Sequence, residues 1–287
     1  MSVRDINELT VRANGLVFSC LEIGEGPLVL CMHGFPDTAS TWTQLMPRVA
    51  ALGYRVVAPN MRGYAPTQLP DDDDYRVWTF GQDVLSLIAA LGHERAVIIG
   101  HDWGASAVYS AVAQAPEKID RLIALAIPPP SSLRPTLSNA WAIRHFVSFQ
   151  LRGRTLARYR RDPLGFLRGI YKRWSPRWEP DDAEFADVIE AFAQPGSLEA
   201  AFHYYWTFFK DARSRETRRL NTTRITVPTL LLGGDADILS VDNWERVGRA
   251  FDAPYEVEIV RGAGHFLHRE RPEEVASLIC DWLGAPA

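Results

Sequence analysis

Hydrophobic and polar positions along this 287-residue chain repeat with two different periods. Near the start, "LTVRANGLVFSCLEIG" alternates on both sides of Asn14-Gly15. Both turn residues accept positive φ, so the pattern predicts a two-stranded hairpin. "PLVLCMHG" and "YRVVAPNMRG" are apolar runs too short for helices, and each predicts a buried strand. In "TFGQDVLSLIAALG" the period lengthens, placing Val84, Leu87, Ile88 and Leu91 on one helical face. Thr79 with Gln82 suggests a capping box at its start, and Gly92 fits just past its end. "AVIIG" reads as a strand again, "ASAVYSAVAQAP" as a helix and "RLIALAIP" as a strand. Apolar strands alternating with helices require a mostly parallel sheet covered on both faces, an α/β fold.

At "IPPPSSLRP" the alternation stops. Aromatic-rich helical stretches follow, among them "WAIRHFVSFQ", "LARYRRDPLGFLRGIYKRW" and "LEAAFHYYWTFFKDA". Strand–helix alternation resumes with "VPTLLLGG", "YEVEIV" and "PEEVASLICDWL". The organisation expected is an α/β core over 1–127, a helical insertion over 128–223, and the rest of the core over 224–287.

Composition narrows the function classes. A hydrophobic content of 47% with 23% charged residues suits a chain with a full core. The net charge of −4 offers no global attraction for nucleic acid or an anionic membrane. No apolar run approaches the roughly 18 residues of a membrane span. The stretch "MSVRDINELTVRANG" lacks a basic segment followed by an apolar one, so the expected location is cytoplasmic. Cys20, Cys31 and Cys280 are scattered without metal-ligand spacing, and no metal or organic cofactor is expected. The run Asp71–Asp74 and the arginines Arg154, Arg158 and Arg161 read as solvated faces. Nothing in the pattern decides between a monomer and a homodimer.

One corner of the chain resists a packing explanation. Gly100-His101-Asp102-Trp103-Gly104 has the small-x-nucleophile-x-small form of a nucleophile elbow, with aspartate where serine is familiar. It follows an apolar strand and precedes a small-residue helix. An aspartate at such a corner often serves as an N-cap, the competing role for Asp102. "LLLGGDADILS" places Asp237 after a late strand, with Asp235 as its rival, and "RGAGHFLHRERP" places His265 after the last strand. The chain order is nucleophile, acid, histidine. Ser106 falls inside the helix past the elbow, and His268, one turn beyond His265, reads as a helix-surface residue.

"HGFP" (His33 to Pro36), "NMRGYAPT", "GHDWGA" and "GHFLHRERPEEV" together resemble the α/β-hydrolase fold. They resemble in particular its branch with an aspartate nucleophile, the epoxide hydrolases and haloalkane dehalogenases. The resemblance implies a catalytic triad: Asp102 as nucleophile, His265 as base and Asp237 as its orienting acid. It also implies a cis Phe35–Pro36 bond, an oxyanion hole from the backbone N–H groups of Phe35 and Trp103, and a helical cap over 128–223. A carboxylate attacking a saturated carbon leaves an enzyme ester, which the base then hydrolyses with water.

The two activities differ in what receives the leaving atom. An epoxide oxygen needs a proton donor, and a halide needs weak N–H donors. Phe35 stands where many dehalogenases carry asparagine, which favours epoxides, although Trp141, Trp174, Trp178 and Trp206 could each supply a halide with an indole. "FHYYWTFF" resembles the epoxide hydrolase segment with a donor tyrosine, matching Tyr205 better than its neighbour Tyr204. Counting back from Phe149-Gln150 puts His145 at the position of the other donor. Phe35, Trp103, Tyr204 and Phe149 are the expected substrate-binding residues. The expected reaction converts a small apolar epoxide and water into a vicinal diol. A haloalkane dehalogenase and a non-catalytic binding protein are the alternatives.

Overall fold

The computed structural model describes residues 2–133 and 136–284. Eight strands form one sheet: β1 (Asn7–Ala13), β2 (Leu16–Ile23), β3 (Leu28–Met32), β4 (Arg55–Pro59), β5 (Ala96–His101), β6 (Ile119–Leu125), β7 (Thr229–Gly234) and β8 (Tyr255–Val260). Their spatial order is β1-β2-β4-β3-β5-β6-β7-β8. Only the pairings of β2, with β1 and with β4, are antiparallel; the others are parallel. The hairpin turns at Asn14 and Gly15, both with positive φ.

Helices α1 (Met46–Ala50), α2 (Val77–Ala90) and α3 (Trp103–Gln114) connect the first six strands. The next seven are α4 (Leu137–Ala142), α5 (Arg144–Phe149), α6 (Arg152–Arg161), α7 (Pro163–Trp174), α8 (Ala186–Ala193), α9 (Ser197–Asp211) and α10 (Arg215–Thr222). All seven lie between β6 and β7. After β8 come α11 (Leu267–Glu270) and α12 (Pro272–Gly284). Among the described residues, no helix is long and apolar enough to cross a membrane.

The strand periodicity explains the layers. Along β3, Leu28, Leu30 and Met32 join the core that α2, α3 and the inserted helices cover, while Val29 and Cys31 join the core under α1 and α12. Central strands are therefore buried at every position, as β3, β5 and β7 are, whereas the edge strands β1 and β8 expose much of their length. α2 buries Val84, Leu87 and Ile88 as its spacing predicts. Its start differs from expectation. Arg76 is the N-cap, so the Thr79–Gln82 box does not form, and the Thr79 hydroxyl donates to Asp74 at 2.8 Å instead.

The strand order fixes where ligands can bind. β3 has β4 on one side and β5 on the other, so successive connections leave it in opposite directions. The carboxyl ends of strands at such a switch point open a crevice. The segment after β3, His33 to Pro36, and the corner after β5, Asp102, flank that crevice.

Candidate active site

Backbone crowding builds the elbow. Asp102 has φ 52° and ψ −116°, a conformation an L-residue holds only when its surroundings enforce it. A Cβ on Gly104 would lie 2.1 Å from the Met32 carbonyl oxygen, and one on Gly34 would lie 2.4 Å from the Asp102 Cβ. The start of α3 thus packs directly against the end of β3, which leaves the Asp102 side chain standing at the crevice. His33 secures the opposite wall: its Nδ1–H donates to the Gly34 carbonyl at 2.9 Å, and its Nε2 accepts the Met61 N–H at 2.9 Å. Burial pushes the His33 pKa down to about 4, which keeps the ring neutral in this bridging form. The Phe35–Pro36 bond is cis, as the motif implied.

The structure brings Asp102, His265 and Asp237 together. The Phe35 N–H donates to Asp102 Oδ1 at 2.8 Å. Asp102 Oδ2 faces His265 Nε2 at 3.3 Å, an ion-pair distance at which Nε2 makes no hydrogen bond. His265 Nδ1 lies 3.1 Å from Asp237 Oδ2 and 3.3 Å from Oδ1. The rival Asp235 is occupied elsewhere, accepting the Gly262 N–H at 2.7 Å and pairing with Arg177. Ser106 sits within α3, its N–H bonded to the Asp102 carbonyl.

Electrostatics follow from this geometry. Burial by itself would lower the His265 pKa, but Asp237 and then Asp102 outweigh it and raise the value to about 10. Burial likewise opposes a charged Asp102, yet His265 and the Phe35 N–H hold its carboxyl below the usual range. The base is also braced from behind. Its own N–H donates to the Trp174 carbonyl at the end of α7, and Glu270 accepts both the Gly264 N–H and the Ser175 hydroxyl. Sequence reading missed Glu270, whose only signal was its place in "GHFLHRERP".

A cavity of about 320 Å³ opens over the nucleophile, lined by Asp102, Trp103, His145, Phe146, Trp174 and His265 among others. Of the four expected substrate-binding residues, only Trp103 lines it. Phe35 is fully buried beneath, its ring 5.0 Å from that of Tyr205, and Phe149 packs behind both. Tyr204 is displaced from the expected role because its hydroxyl donates to the Arg62 carbonyl at 2.5 Å and its ring stacks on Phe80. Tyr205 is the reverse case: fully buried and outside the cavity lining, its hydroxyl has only the Trp103 side chain as a polar neighbour and makes no well-formed hydrogen bond to it, and its ring meets Trp103 at 5.3 Å. Burial, and then the Asp102 charge, push its pKa well up, so it stays a proton donor.

His145 needs a correction as the second donor. Its Nδ1 lies 3.3 Å from the Ala142 carbonyl, which can only accept, so that nitrogen carries the proton. Burial, reinforced by Arg173, pushes its pKa down to about 3, leaving Nε2 an acceptor. His268 needs another: it is buried, stacked on Trp42 at 4.8 Å, with Nε2 2.6 Å from the Thr41 hydroxyl. Among the indoles offered for a halide, Trp141 is 68% exposed, Trp206 donates to the Phe149 carbonyl, and Trp178 packs on Tyr171. Trp174 alone of these four lines the cavity.

Comparison with known proteins agrees with this architecture. Residues 27–272 match the family model described as the alpha/beta hydrolase fold. The chain is 29% identical to "Epoxide hydrolase A" of Mycobacterium tuberculosis, the match covering 96% of this chain and 97% of that one. It is 30% identical to the "AB hydrolase superfamily protein YfhM" of Bacillus subtilis, over 95% and 96% of the two chains. Among solved structures, epoxide hydrolase A of Mycobacterium thermoresistibile superposes with a TM-score of 0.83 at 27% identity, covering 97% and 98%. With this strand order, this elbow and these matches, the chain belongs to the α/β hydrolase fold family.

Proposed function

We propose that this protein is an epoxide hydrolase that works through an ester on Asp102. The observation that carries the reading is Tyr205: a buried phenol with no well-formed hydrogen bond, beside Trp103 and within reach of the Asp102 charge, supplies the O–H that a ring-opened epoxide oxygen needs. The names borne by the relatives support the same substrate class.

In the proposed cycle Asp102 Oδ2 attacks an epoxide carbon, the C–O bond breaks, and the nascent alkoxide takes its proton from Tyr205. Asp102 Oδ1 becomes the ester carbonyl oxygen, still beside the Phe35 N–H. Ester formation removes the Asp102 charge that helps raise the His265 pKa, so the ring gives up its proton to solvent. His265 Nε2 then removes a proton from water as that water attacks the ester carbon. The oxyanion forms on Oδ1, where Phe35 and the Trp103 N–H at the start of α3 stabilise it. Collapse expels the diol oxygen, which takes the proton from His265. The proton left on the regenerated Asp102 carboxyl then passes to His265, and the Tyr205 phenolate recovers its proton from solvent, so the enzyme returns to its starting state. Asp237 holds the imidazole with Nδ1–H toward itself and Nε2 toward Asp102 throughout. His145 accepts a hydrogen bond from a substrate or product hydroxyl. The helices of 128–223 act as the cap that shields the ester from bulk water.

Halide displacement through the same ester is the second reading, favoured by one observation: the Trp103 indole N–H is also buried with no well-formed hydrogen bond. A cytoplasmic location completes the proposal, supported by Cys20, Cys31 and Cys280, all free thiols.

The decisive experiment is intact mass of His265→Gln after separate exposure to epoxides and haloalkanes. Without the base the ester persists. A gain equal to the whole substrate is expected for ring opening. A gain equal to substrate minus hydrogen halide would install the second reading, and no adduct from either panel would remove Asp102 as nucleophile for both classes.

A further inference from the structure

Beside the triad lie three polar side chains that the proposed cycle does not use. Asp37 comes from the segment after β3, His101 from the last position of β5 and His268 from α11. They are 2%, 0% and 5% exposed, and each brings a carboxylate oxygen or ring nitrogen within 4.8 Å of the other two. Each also has an atom with no hydrogen-bond partner: Asp37 Oδ2, His101 Nδ1 and His268 Nδ1. Three unsatisfied buried polar atoms in one cluster are costly, at about 1–3 kcal/mol apiece, unless something binds them.

The remaining atoms of these residues are committed. His101 Nε2 lies 2.9 Å from the His265 carbonyl, which can only accept, so the proton is on Nε2 and Nδ1 carries a lone pair. Burial keeps both rings neutral, the form in which imidazole ligates metals. Asp37 Oδ1 accepts the Thr38 N–H and lies 3.4 Å from Arg269. The Arg269 charge is answered by Glu184 at 2.5 Å. His265 and Arg269 place positive charge near both rings, which Asp102 partly offsets at His101, so the Asp37 carboxylate is the group in the cluster that would attract a cation.

From this juxtaposition we propose that Asp37, His101 and His268 form a binding site for a divalent transition-metal ion of the zinc class. Two imidazoles and one carboxylate are a zinc donor set. A point central to atoms this close lies no more than about 2.8 Å from each, against bonds of about 2.0–2.2 Å, so movements of under about 1 Å complete the coordination. The ion ties the segment after β3, which carries Phe35, to β5 and α11, which adjoin Asp102 and His265 in the chain. It has no part in bond making, and the site is independent of which substrate the cavity takes.

The test is metal content of untagged protein, dialysed against zinc or cobalt(II) and freed of loose ion by gel filtration. About one ion per chain is expected, with a zinc X-ray absorption spectrum showing two imidazole nitrogens. His268→Gln and Asp37→Asn should each lower the retained metal at least tenfold, while His93→Gln, remote from the cluster, should retain it. Bound metal should also raise the unfolding temperature of the wild type but not of the variants. Wild-type protein holding under about 0.1 ion per chain, or a His268→Gln protein keeping its metal, overturns the proposal. Should the variants not fold, the wild-type spectrum decides, because any shell other than two imidazoles with oxygen overturns it as well.

Discussion

The floor of the cavity and its roof are held by different means. In the floor, Asp102, Phe35 and His265 are fixed through backbone: a positive-φ corner, and N–H groups aimed at particular oxygens. In the roof, α5, α7 and α9 place His145, Trp174 and Tyr205 by packing ring against ring, with contacts such as His145–Trp174 at 4.8 Å and Phe146–Tyr205 at 4.8 Å. A floor position tolerates almost no alternative side chain, because backbone atoms cannot move aside. A roof position can trade one ring for another at modest cost, which leaves the roof free to select substrates while the floor keeps the chemistry.

Three substitutions sharpen that contrast, in falling order of effect. Gly104→Ala drives a Cβ into the Met32 carbonyl, and urea unfolding should show a loss of at least about 3 kcal/mol, with activity lost alongside. A stable, active Gly104→Ala protein would mean that the floor is as adaptable as the roof. Tyr205→Phe should slow ester formation by roughly 100-fold in single-turnover kinetics, yet leave stability within about 1 kcal/mol, since its hydroxyl has no well-formed hydrogen bond to lose. Hydrolysis of the ester once formed should be largely unaffected; the opposite split would take Tyr205 out of the donor role. Tyr204→Phe should do the reverse. It forfeits the bond to the Arg62 carbonyl and about 1–2 kcal/mol, while kcat/KM stays within about twofold. A larger kinetic loss there would show that the two neighbouring phenols share the chemistry.

The same contrast explains what the sequence could and could not reveal. Floor residues were legible because backbone constraint leaves marks in residue type: small residues around Asp102, glycine before Phe35, and the Gly-His-Phe context of His265. The alternating strands and the helical interruption were legible for the same reason, through periodicity. Roof roles were not. Tyr204 and Tyr205 are adjacent on α9 and both buried, so residue type cannot tell them apart, and only the packing shows which hydroxyl reaches a carbonyl. His145 matched a donor position, but its tautomer depends on the Ala142 carbonyl, a partner the sequence does not display. His268 looked exposed because α11 is a single turn, too short to show a face; Trp42 and Thr41 bury it from a distant part of the chain.

The hydrogen bond from the Phe35 N–H makes the two oxygens of Asp102 unequal, and this has a consequence for isotopes. If Oδ1 stays in place while Oδ2 departs with the diol, the vacant position is refilled by oxygen from the water just consumed. That oxygen becomes the next attacking atom. Each product molecule then carries solvent oxygen from the preceding cycle rather than its own. A fresh enzyme placed in heavy-oxygen water would release its first diol unlabelled, and the protein would keep the label as a one-cycle record of its own history.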